Sequence, residues 1–381
     1  MEEAEPPVIE PPPILAAPPV IDPSAVLMEA PPIPPAEPCP FSFTGAGTEY
    51  FRIWIVNVAL TIITLGFYSA WAKVRRLQYF YRNTHVAGSC FDYHGRPFPI
   101  LKGRILAAAL FGAYNVAGYI SPLYALAAAG VIALILPFLI SRAFRFRLYN
   151  SSYRGLRFSF EGSTARAYWV FLGLPLLCIP TFFWLAPFAH QRMKQYQHAN
   201  ARYGRSGFSI SATGGDFYIA YLSMFGLLTI LGVVVFSLMM GVVMVTSKQA
   251  APGSDVSPLA GGIILILIVL VYIGGVLLAQ AFLRSRVQNI VWTSTALGGH
   301  RFASRVKARR LFAITFTNLL ATIATLGLFT PFAQIRVARY LSGAVSLVPS
   351  GSLDDFEASD QQSVSAVGEE ATELFDIDFG F

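Results

Sequence analysis

Charged residues are scarce in this chain, and acids are rarest in its middle. Only 13% of the 381 residues are Asp, Glu, Lys or Arg, and the mean hydropathy is +0.55. Soluble proteins carry about 25% charged residues. The composition therefore excludes an ordinary soluble domain and favours an integral membrane protein.

Cysteine and catalytic motifs are also in short supply. The three cysteines, Cys39, Cys90 and Cys178, have no metal-binding or redox spacing. The sequence contains no Gly-rich phosphate loop, no HExxH and no nucleophile elbow around a serine. We therefore predict that the protein is not an enzyme and has no catalytic residues, cofactor or metal site. The acidic start, Met1-Glu-Glu-Ala-Glu5, does not predict a secretory signal.

Lysine and arginine are missing from both ends of the chain. All 28 lie between residues 41 and 340, with only five of the 21 acids. That segment therefore carries +23 (28 minus 5), against +7 for the whole chain. Residues 1–40 are Pro-rich and acidic, and residues 346–381 are acidic, so we predict two disordered tails whose partners the sequence does not identify.

Long uncharged segments dominate the middle of the chain. A membrane-spanning helix needs about 20 apolar residues, and up to seven such spans fit. The segment 105–141 is too long for one crossing, so Ser121-Pro122 is predicted to turn it into a hairpin. The other segments are 53–72, 167–189, 217–246, 258–283 and 311–335.

One motif occurs three times, at offsets of 117 and 261 residues. It runs from Thr to an aromatic residue followed by Ala, then to Arg and finally to Tyr. This recurrence predicts tandem three-segment repeats, with two full copies and a partial third. The predicted boundaries are 41–157 for repeat 1, 158–301 for repeat 2 and 302–345 for partial repeat 3. Runs such as Phe41-Ser-Phe43 and Phe158-Ser-Phe160 predict short extended segments between the helices.

The distribution of basic residues favours one topology. If all seven segments cross, the two sides of the membrane hold 12 and 16 Lys and Arg. If the three motif-bearing segments enter and return, the split becomes 27 to 1. Basic residues concentrate in cytoplasmic loops. We therefore predict an all-α integral membrane protein with four spans plus three re-entrant hairpins and both tails cytoplasmic, while seven spans remain the alternative.

The motif also supplies candidate binding residues. Helical spacing places its aromatic residue, Arg and Tyr on one face. Such a face acts either as an interfacial anchor, with aromatic rings and snorkelling arginines, or as a contact for an anionic headgroup or solute. The candidates for this contact are Arg75, Arg192, Arg336, Tyr79, Tyr196 and Tyr340.

A second candidate set consists of polar residues inside the apolar segments. Asn57 and Asn318 either bond between helices or line a solute path, although Leu174 occupies the equivalent place in the second copy. The motif threonines are predicted to satisfy carbonyls freed at a helix break. They are Thr64, Thr181 and Thr325.

The first copy resembles a known family. The residues that carry the likeness are Gly45-Ala-Gly47-Thr-Glu-Tyr50-Phe-Arg-Ile-Trp54, Asn57, Thr64 to Phe80, Asn83-Thr84 and Gly88-Ser-Cys-Phe91. They are similar to the YjgN-type family of uncharacterised bacterial inner-membrane proteins, and the likeness covers about residues 41–345. The resemblance implies a multi-pass protein of the bacterial inner (plasma) membrane. It implies no activity and no site residues.

Two classes of function stay open. Internal repeats and broken intramembrane segments are typical of channels and transporters, here for an uncharged or anionic solute. Basic interfacial helices are equally typical of a lipid-binding or membrane-organising protein without transport activity. The expected partners are membrane lipids, chiefly anionic ones, and a homo-oligomer is compatible with both classes. The basic residues flank apolar segments, so no nucleic-acid partner is predicted.

Overall fold

The computed structural model describes residues 37–249 and 258–351, with side chains for 37–244 and 262–351. Most of the two predicted tails therefore lies outside the described residues. Where the description reaches into them, residues 39–40 and 346–348 belong to β-strands.

In the described residues the helices form five hairpins, numbered here in chain order. Each hairpin has an outgoing helix, a tip and a returning helix. The first contains α1 (Gly47–Ile63) and α2 (Ser69–Arg82), and the second α3 (Pro97–Ile120) and α4 (Pro122–Tyr149). The third contains α5 (Thr164–Tyr168), a π-helical turn (Trp169–Gly173), α6 (Leu174–Cys178) and α7 (Ala186–Ala199). The fourth contains α8 (Gly214–Gln249) and α9 (Pro258–Thr293), and the fifth α10 (Ala308–Ala324) and α11 (Thr330–Gly343).

Short strands connect the hairpins and form one antiparallel sheet. They are β1 (Cys39–Pro40), β2 (Ser42–Phe43), β3 (Thr84–Val86), β4 (Ser89–Tyr93), β5 (Ser151–Tyr153), β6 (Leu156–Phe160), β7 (Ala201–Tyr203), β8 (Ser206–Ile210), β9 (Thr295–Leu297), β10 (His300–Ser304) and β11 (Val345–Val348). The order runs β1-β11-β10-β9-β8-β7-β6-β5-β4-β3-β2. Because β1 and β2 belong to the same segment, the sheet nearly closes into a barrel.

Strand register fixes where each helical hairpin begins and ends. Phe43 before the first hairpin pairs with Thr84 after it, and Ser304 pairs with Val345 around the fifth. The same pairing flanks the other three hairpins. All five hairpins therefore project from one edge of the barrel, and the strand turns lie at the other edge. Neighbouring helices pack side by side, and α11 packs on α1, so the helices also form a closed ring.

The expectation of an all-α fold is wrong. Of the described residues, 69% are helical, but 13% are in strands, which form the eleven-stranded sheet. The segments 41–43 and 158–160 are extended, as predicted, yet strands of two to five residues carry no local signal for their partners. The sheet exists because residues far apart in the chain pair with each other, such as Cys39 with Leu347.

The long helices contain the predicted apolar segments but extend beyond them: α3 and α4 run from Pro97 to Tyr149, around the predicted 105–141, and α9 ends at Thr293, ten residues after the predicted 258–283. The predicted turn at Ser121-Pro122 is confirmed, since α3 ends at Ile120 and α4 begins at Pro122. The Ser121 hydroxyl accepts a hydrogen bond from the Leu123 amide at 3.3 Å, which caps α4. Within the part of the chain that the structure describes, four helices are long and apolar enough to cross a membrane: Pro97–Ile120, Pro122–Tyr149, Gly214–Met244 and Gly262–Thr293.

The tips of the first and fifth hairpins are tight left-handed turns. Leu65 and Gly66 have φ of 49° and 94°, and Leu326 and Gly327 repeat these values. The amide of Gly327 donates to the Thr322 carbonyl at 2.8 Å, which closes the turn. In the third hairpin Phe183 takes the glycine position at a φ of 61°.

We expect Gly327→Ala to lower the free energy of unfolding by about 1–2 kcal/mol, because a Cβ is strained at positive φ. A Cβ at Gly327 meets no atom within 4 Å, so the cost is conformational rather than steric. Thermal unfolding in detergent measures the change. The control is Gly130→Ala, inside α4 with equally open space, which should be neutral or stabilising. Equal stability of the two variants would contradict a strained tip.

Candidate functional site

Five phenylalanines form a closed belt inside the barrel. Phe91, Phe158, Phe208 and Phe302 come from β4, β6, β8 and β10, and Phe41 lies between β1 and β2. Going around the belt from Phe41, successive ring centroids are 6.3, 6.4, 6.4, 6.4 and 6.5 Å apart. These spacings lie within the usual range for neighbouring aromatic rings. A regular pentagon with sides of this length places each centroid about 5 Å from the centre of the belt. We call these five residues the aromatic belt.

The belt lines a cavity of about 550 Å³. Two further aromatic side chains pack against the belt: Tyr203 contacts Phe158 at 5.0 Å between ring centroids with the rings tilted by 38°, and Trp292 meets Phe302 edge-on at 5.4 Å. Four of the polar or charged lining residues are Arg147, Arg154, Gln288 and His300. The returning helices α2, α4, α9 and α11 contribute residues near their C-terminal ends to the lining of this cavity.

The returning helices carry polar residues in line with this cavity. Phe80 and Tyr81 of α2 line the cavity, and Lys73 lies seven residues before Phe80, about 20° from it around the helix at 100° per residue. On α7 the corresponding face carries Lys194 and His198, and His198 meets Trp292 edge-on at 6.3 Å. We call this side of α2 and α7 the axial face.

Positive charge accumulates on the axial face. Desolvation lowers the pKa of Lys73, and the nearby Arg104, Arg147 and Arg76 lower it further. Desolvation also lowers the pKa of Lys194. Four of the described acids are engaged elsewhere, through Glu49 with Tyr79, Asp92 with Arg82, Glu161 with Arg202 and Asp216 with Thr213.

Two histidines of α7 are held neutral. Burial lowers the pKa of His190 and His198 from 6.5 to about 4, with a further contribution from Lys194. His190 also shares a hydrogen bond with the Tyr221 hydroxyl at 2.9 Å.

The histidines predict a pH-dependent stability. Because their folded pKa lies below the unfolded value, the unfolded chain binds more protons between pH 6.5 and 4. We expect the unfolding temperature to fall as the pH is lowered through this window. The double variant His190→Gln with His198→Gln should show a shallower fall in the same measurement, whereas an unchanged slope would exclude these two groups as its cause.

The structure does not bring together the three predicted arginines. They lie in the first, third and fifth hairpins. Arg75 lies over the Tyr68 ring at 5.8 Å, and Arg192 over Phe188 at 4.8 Å. On α2, Arg75 lies about 160° from Lys73, at 100° per residue, so it points away from the axial face. The role of the three arginines as headgroup contacts stays a prediction. They lie in three different hairpins and do not form one shared binding site.

The predicted tyrosines make the same hydrogen bond in three hairpins. The hydroxyls of Tyr79, Tyr196 and Tyr340 donate to the carbonyls of Ala46, Ser163 and Lys307, at 3.0, 3.3 and 3.0 Å. These acceptors directly precede the outgoing helices α1, α5 and α10. Each tyrosine therefore ties the end of its returning helix to the start of the outgoing one, which favours a structural role over ligand contact.

Four of the five predicted intramembrane polar residues also form side-chain hydrogen bonds within their own hairpins. Thr64, Thr181 and Thr325 donate to carbonyls four residues earlier, at 2.7, 2.9 and 2.7 Å. Asn318 accepts from Arg336 at 2.7 Å. Asn57 is buried, and its Oδ1 has no hydrogen-bond partner among the described residues. None of these five residues lines the belt cavity.

Sequence reasoning missed both the belt and the axial face. A partial signal was present, because the offset of 117 carries Phe91 onto Phe208 and Phe41 onto Phe158. His190 and His198 are eight residues apart, which is the spacing of one helical face. Which face points to the axis depends on how the hairpins pack around it.

The chain is similar in sequence to known bacterial proteins. Residues 38–374 match the model of a family described as "Bacterial protein of unknown function (DUF898)". "Inner membrane protein YjgN" of Escherichia coli (strain K12) is 34% identical over 143 residues, 36% of this chain and 35% of that protein. The protein of the same name from Salmonella typhimurium is 30% identical over 136 residues, 35% of this chain and 34% of its own length. The matches thus span about a third of these relatives. No solved structure matches the chain.

Proposed function

Since the chain belongs to the DUF898 family of bacterial proteins of unknown function and its named relatives are inner-membrane proteins, we propose that it is a multi-pass inner-membrane channel. The proposed path runs along the axis of the hairpin ring, and the channel conducts small anionic or uncharged solutes along it. The observation that carries the proposal is the closed helical ring set over a barrel whose interior is aromatic. The role is passive and non-enzymatic.

The lengths and surfaces of the hairpins support their placement in a bilayer. A hydrocarbon core is about 30 Å thick. Helix α1, with 17 residues, is about 25 Å long at 1.5 Å per residue, whereas the second and fourth hairpins contain the four longer apolar helices. The tip residues Leu65, Phe182 and Leu326 are 92%, 92% and 95% exposed, which suits lipid contact. In this proposal two hairpins cross the membrane fully and three re-enter.

Orientation follows from the basic residues. All strand turns lie on the barrel edge away from the hairpins, and with three re-entrant hairpins 27 of the 28 Lys and Arg fall on the barrel side. The positive-inside rule places this side in the cytoplasm, together with both tails.

Cysteine labelling tests this orientation. After replacement of the native cysteines, we expect Arg205→Cys in the β7–β8 turn to react with an impermeant maleimide only in inverted vesicles. Ser121→Cys, at the tip of the second hairpin, should react only in intact cells whose outer membrane has been permeabilised. Labelling of the Arg205→Cys variant from the periplasm would contradict the topology.

The charge along the path supports conduction of anions. Lys73 and Lys194 lie on the axial face, and the guanidinium groups of Arg104, Arg147 and Arg76 are close enough to lower the pKa of Lys73. Clustered cations raise the local concentration of anions, and rings of Arg or Lys select anions in pores. The aromatic belt then forms an apolar constriction, which is a known gating device in channels.

Flux into proteoliposomes tests the channel. The purified full chain is reconstituted with an iodide-quenched dye inside, and iodide entry is compared with protein-free vesicles. We expect Lys73→Glu with Lys194→Glu to reduce iodide entry about tenfold, which corresponds to about 1.4 kcal/mol of barrier. Swelling in glycerol, the uncharged probe, should change much less.

The matched control is Arg75→Glu, two residues from Lys73 but on the opposite face of α2. It should conduct iodide like the wild type. If Arg75→Glu lost as much iodide entry as Lys73→Glu with Lys194→Glu does, the assignment of the path to the axial face would be overturned. Wild-type vesicles no faster than empty ones for either probe would overturn transport and favour the lipid-binding role.

A further inference from the structure

A second basic cluster lies between the helices of the fifth hairpin, outside the axial path. A cavity of about 470 Å³ is lined by five cationic side chains together with Tyr340 and Ile314. The cations are Arg305, Lys307, Arg310, Arg336 and Arg339. We call this cavity the seam pocket, because α11 packs on α1 next to it and so closes the helical ring.

Several cations of the seam pocket are fixed in place by neutral groups. Arg310 lies over the Tyr340 ring at 5.4 Å. Arg336 donates to Asn318 at 2.7 Å, and Arg339 donates to the Gly45 carbonyl at 2.9 Å. A guanidinium group has five N–H donors, so each of these arginines keeps further donors for a ligand. Preorganised guanidinium groups bind phosphate oxygens more strongly than neutral donors do.

The basic lining of the seam pocket is not repeated at the matching positions of the other two short hairpins. At the offset of 261 residues, the position of Arg310 corresponds to Glu49 in the first hairpin. At the offset of 144 residues, the position of Arg305 corresponds to Glu161 in the third. Glu49 accepts a hydrogen bond from Tyr79 there. An acid at either position opposes anion binding. The motif arginine that all three short hairpins share is therefore not sufficient to make an anion site, and the fifth hairpin is the best candidate for one.

The seam pocket opens away from the axis. On α11 the belt cavity is lined by Leu341 and Ser342, whereas Arg336 and Tyr340 lie on roughly the opposite face at 100° per residue. Beyond the pocket, the fifth hairpin exposes Leu320, Ile323 and Leu328. A cationic pocket at the base of an exposed apolar surface matches a molecule with an anionic head and apolar tails.

We propose that the seam pocket binds the phosphate of an anionic phospholipid headgroup, with the acyl chains along the apolar surface of α10. Free phosphate shares the anionic chemistry but gains nothing from that apolar surface. Lipid in this site bridges α10 and α11 beside the Arg339–Gly45 contact, and so stabilises the closed ring. This inference does not depend on conduction through the axis.

The test measures lipid binding and thermal unfolding of the purified full chain in detergent. We expect added phosphatidylglycerol to raise the unfolding temperature, and phosphatidylcholine to have a much smaller effect. The variant Arg305→Gln with Lys307→Gln should bind phosphatidylglycerol at least about tenfold more weakly, since it removes two of the five cations that line the pocket. Arg310→Gln is a second variant with the same expected direction.

The matched control is Arg309→Gln, which removes a neighbouring cation that does not line the pocket. It should retain wild-type lipid affinity. Undiminished binding in both pocket variants, or an equal loss in Arg309→Gln, would overturn the site. If inorganic phosphate binds as tightly as phosphatidylglycerol, the lipid assignment is overturned and the ligand is a soluble phosphate.

Discussion

Replacing Phe158 and Phe208 together by alanine is expected to raise iodide and glycerol flux about tenfold, a barrier change of about 1.4 kcal/mol. These two rings are neighbours in the aromatic belt, 6.4 Å apart. Their removal takes away two of the five rings of the belt and, in the proposed channel, widens the apolar constriction that limits wetting of the path. The measurement is the initial rate of entry into proteoliposomes at equal protein density.

The control for this variant removes two phenylalanines elsewhere. Phe225 and Phe236 on α8 are 67% and 65% exposed, so Phe225→Ala with Phe236→Ala should leave flux unchanged. The opposite change within the belt, Phe158→Trp with Phe208→Trp, should reduce flux by filling the opening. If opening and filling the belt both leave the rate unchanged in monodisperse protein, the belt is not the constriction.

Tyr196→Ala is expected to cost about 3–5 kcal/mol of unfolding free energy, the usual range for truncating a large buried aromatic side chain. Tyr196 is only 2% exposed. Its ring meets Phe160 edge-on at 5.4 Å and Phe171 at 5.5 Å, so truncation leaves a cavity between α7 and its neighbours. Denaturant-induced unfolding in mixed micelles measures the loss.

Tyr196→Phe separates packing from hydrogen bonding. It keeps the ring and removes only the bonds to Ser163 and Ser141, so its expected cost is about 1 kcal/mol. Phe182→Ala at the exposed tip of the same hairpin is the surface control and should change stability little. Equal costs for the alanine and phenylalanine variants would show that the tyrosine acts through its hydroxyl and not through its ring.

Local sequence features determined the helices because helix formation depends on neighbours in the chain. Pro122 at the first position of α4 and Ser121 as its cap define a turn without reference to the rest of the protein. Gly66 and Gly327 permit the positive φ of the tips. Uncharged segments long enough to span a bilayer are likewise read directly from composition.

The sheet could not be predicted in this way. Its strands have two to five residues, too few for alternation to identify either the sheet or the partners. Pairs such as Cys39 with Leu347 join opposite ends of the chain. Such pairs are stable because they complete the barrel. The short strand β1 pairs with β11, and the short strand β2 pairs with β3.

The sequence by itself determined that the protein is apolar, basic between its tails, helical in long segments and broken at defined tips. Only the tertiary structure decided which side of each helix faces the axis. On α2, Lys73 and Arg75 lie on opposite faces although they are only two residues apart, and in the proposed channel Lys73 is the one that faces the path. The physical reason is that the neighbouring hairpins decide which way a side chain points. The positions of those hairpins are set in turn by the register of strands that come from distant parts of the chain.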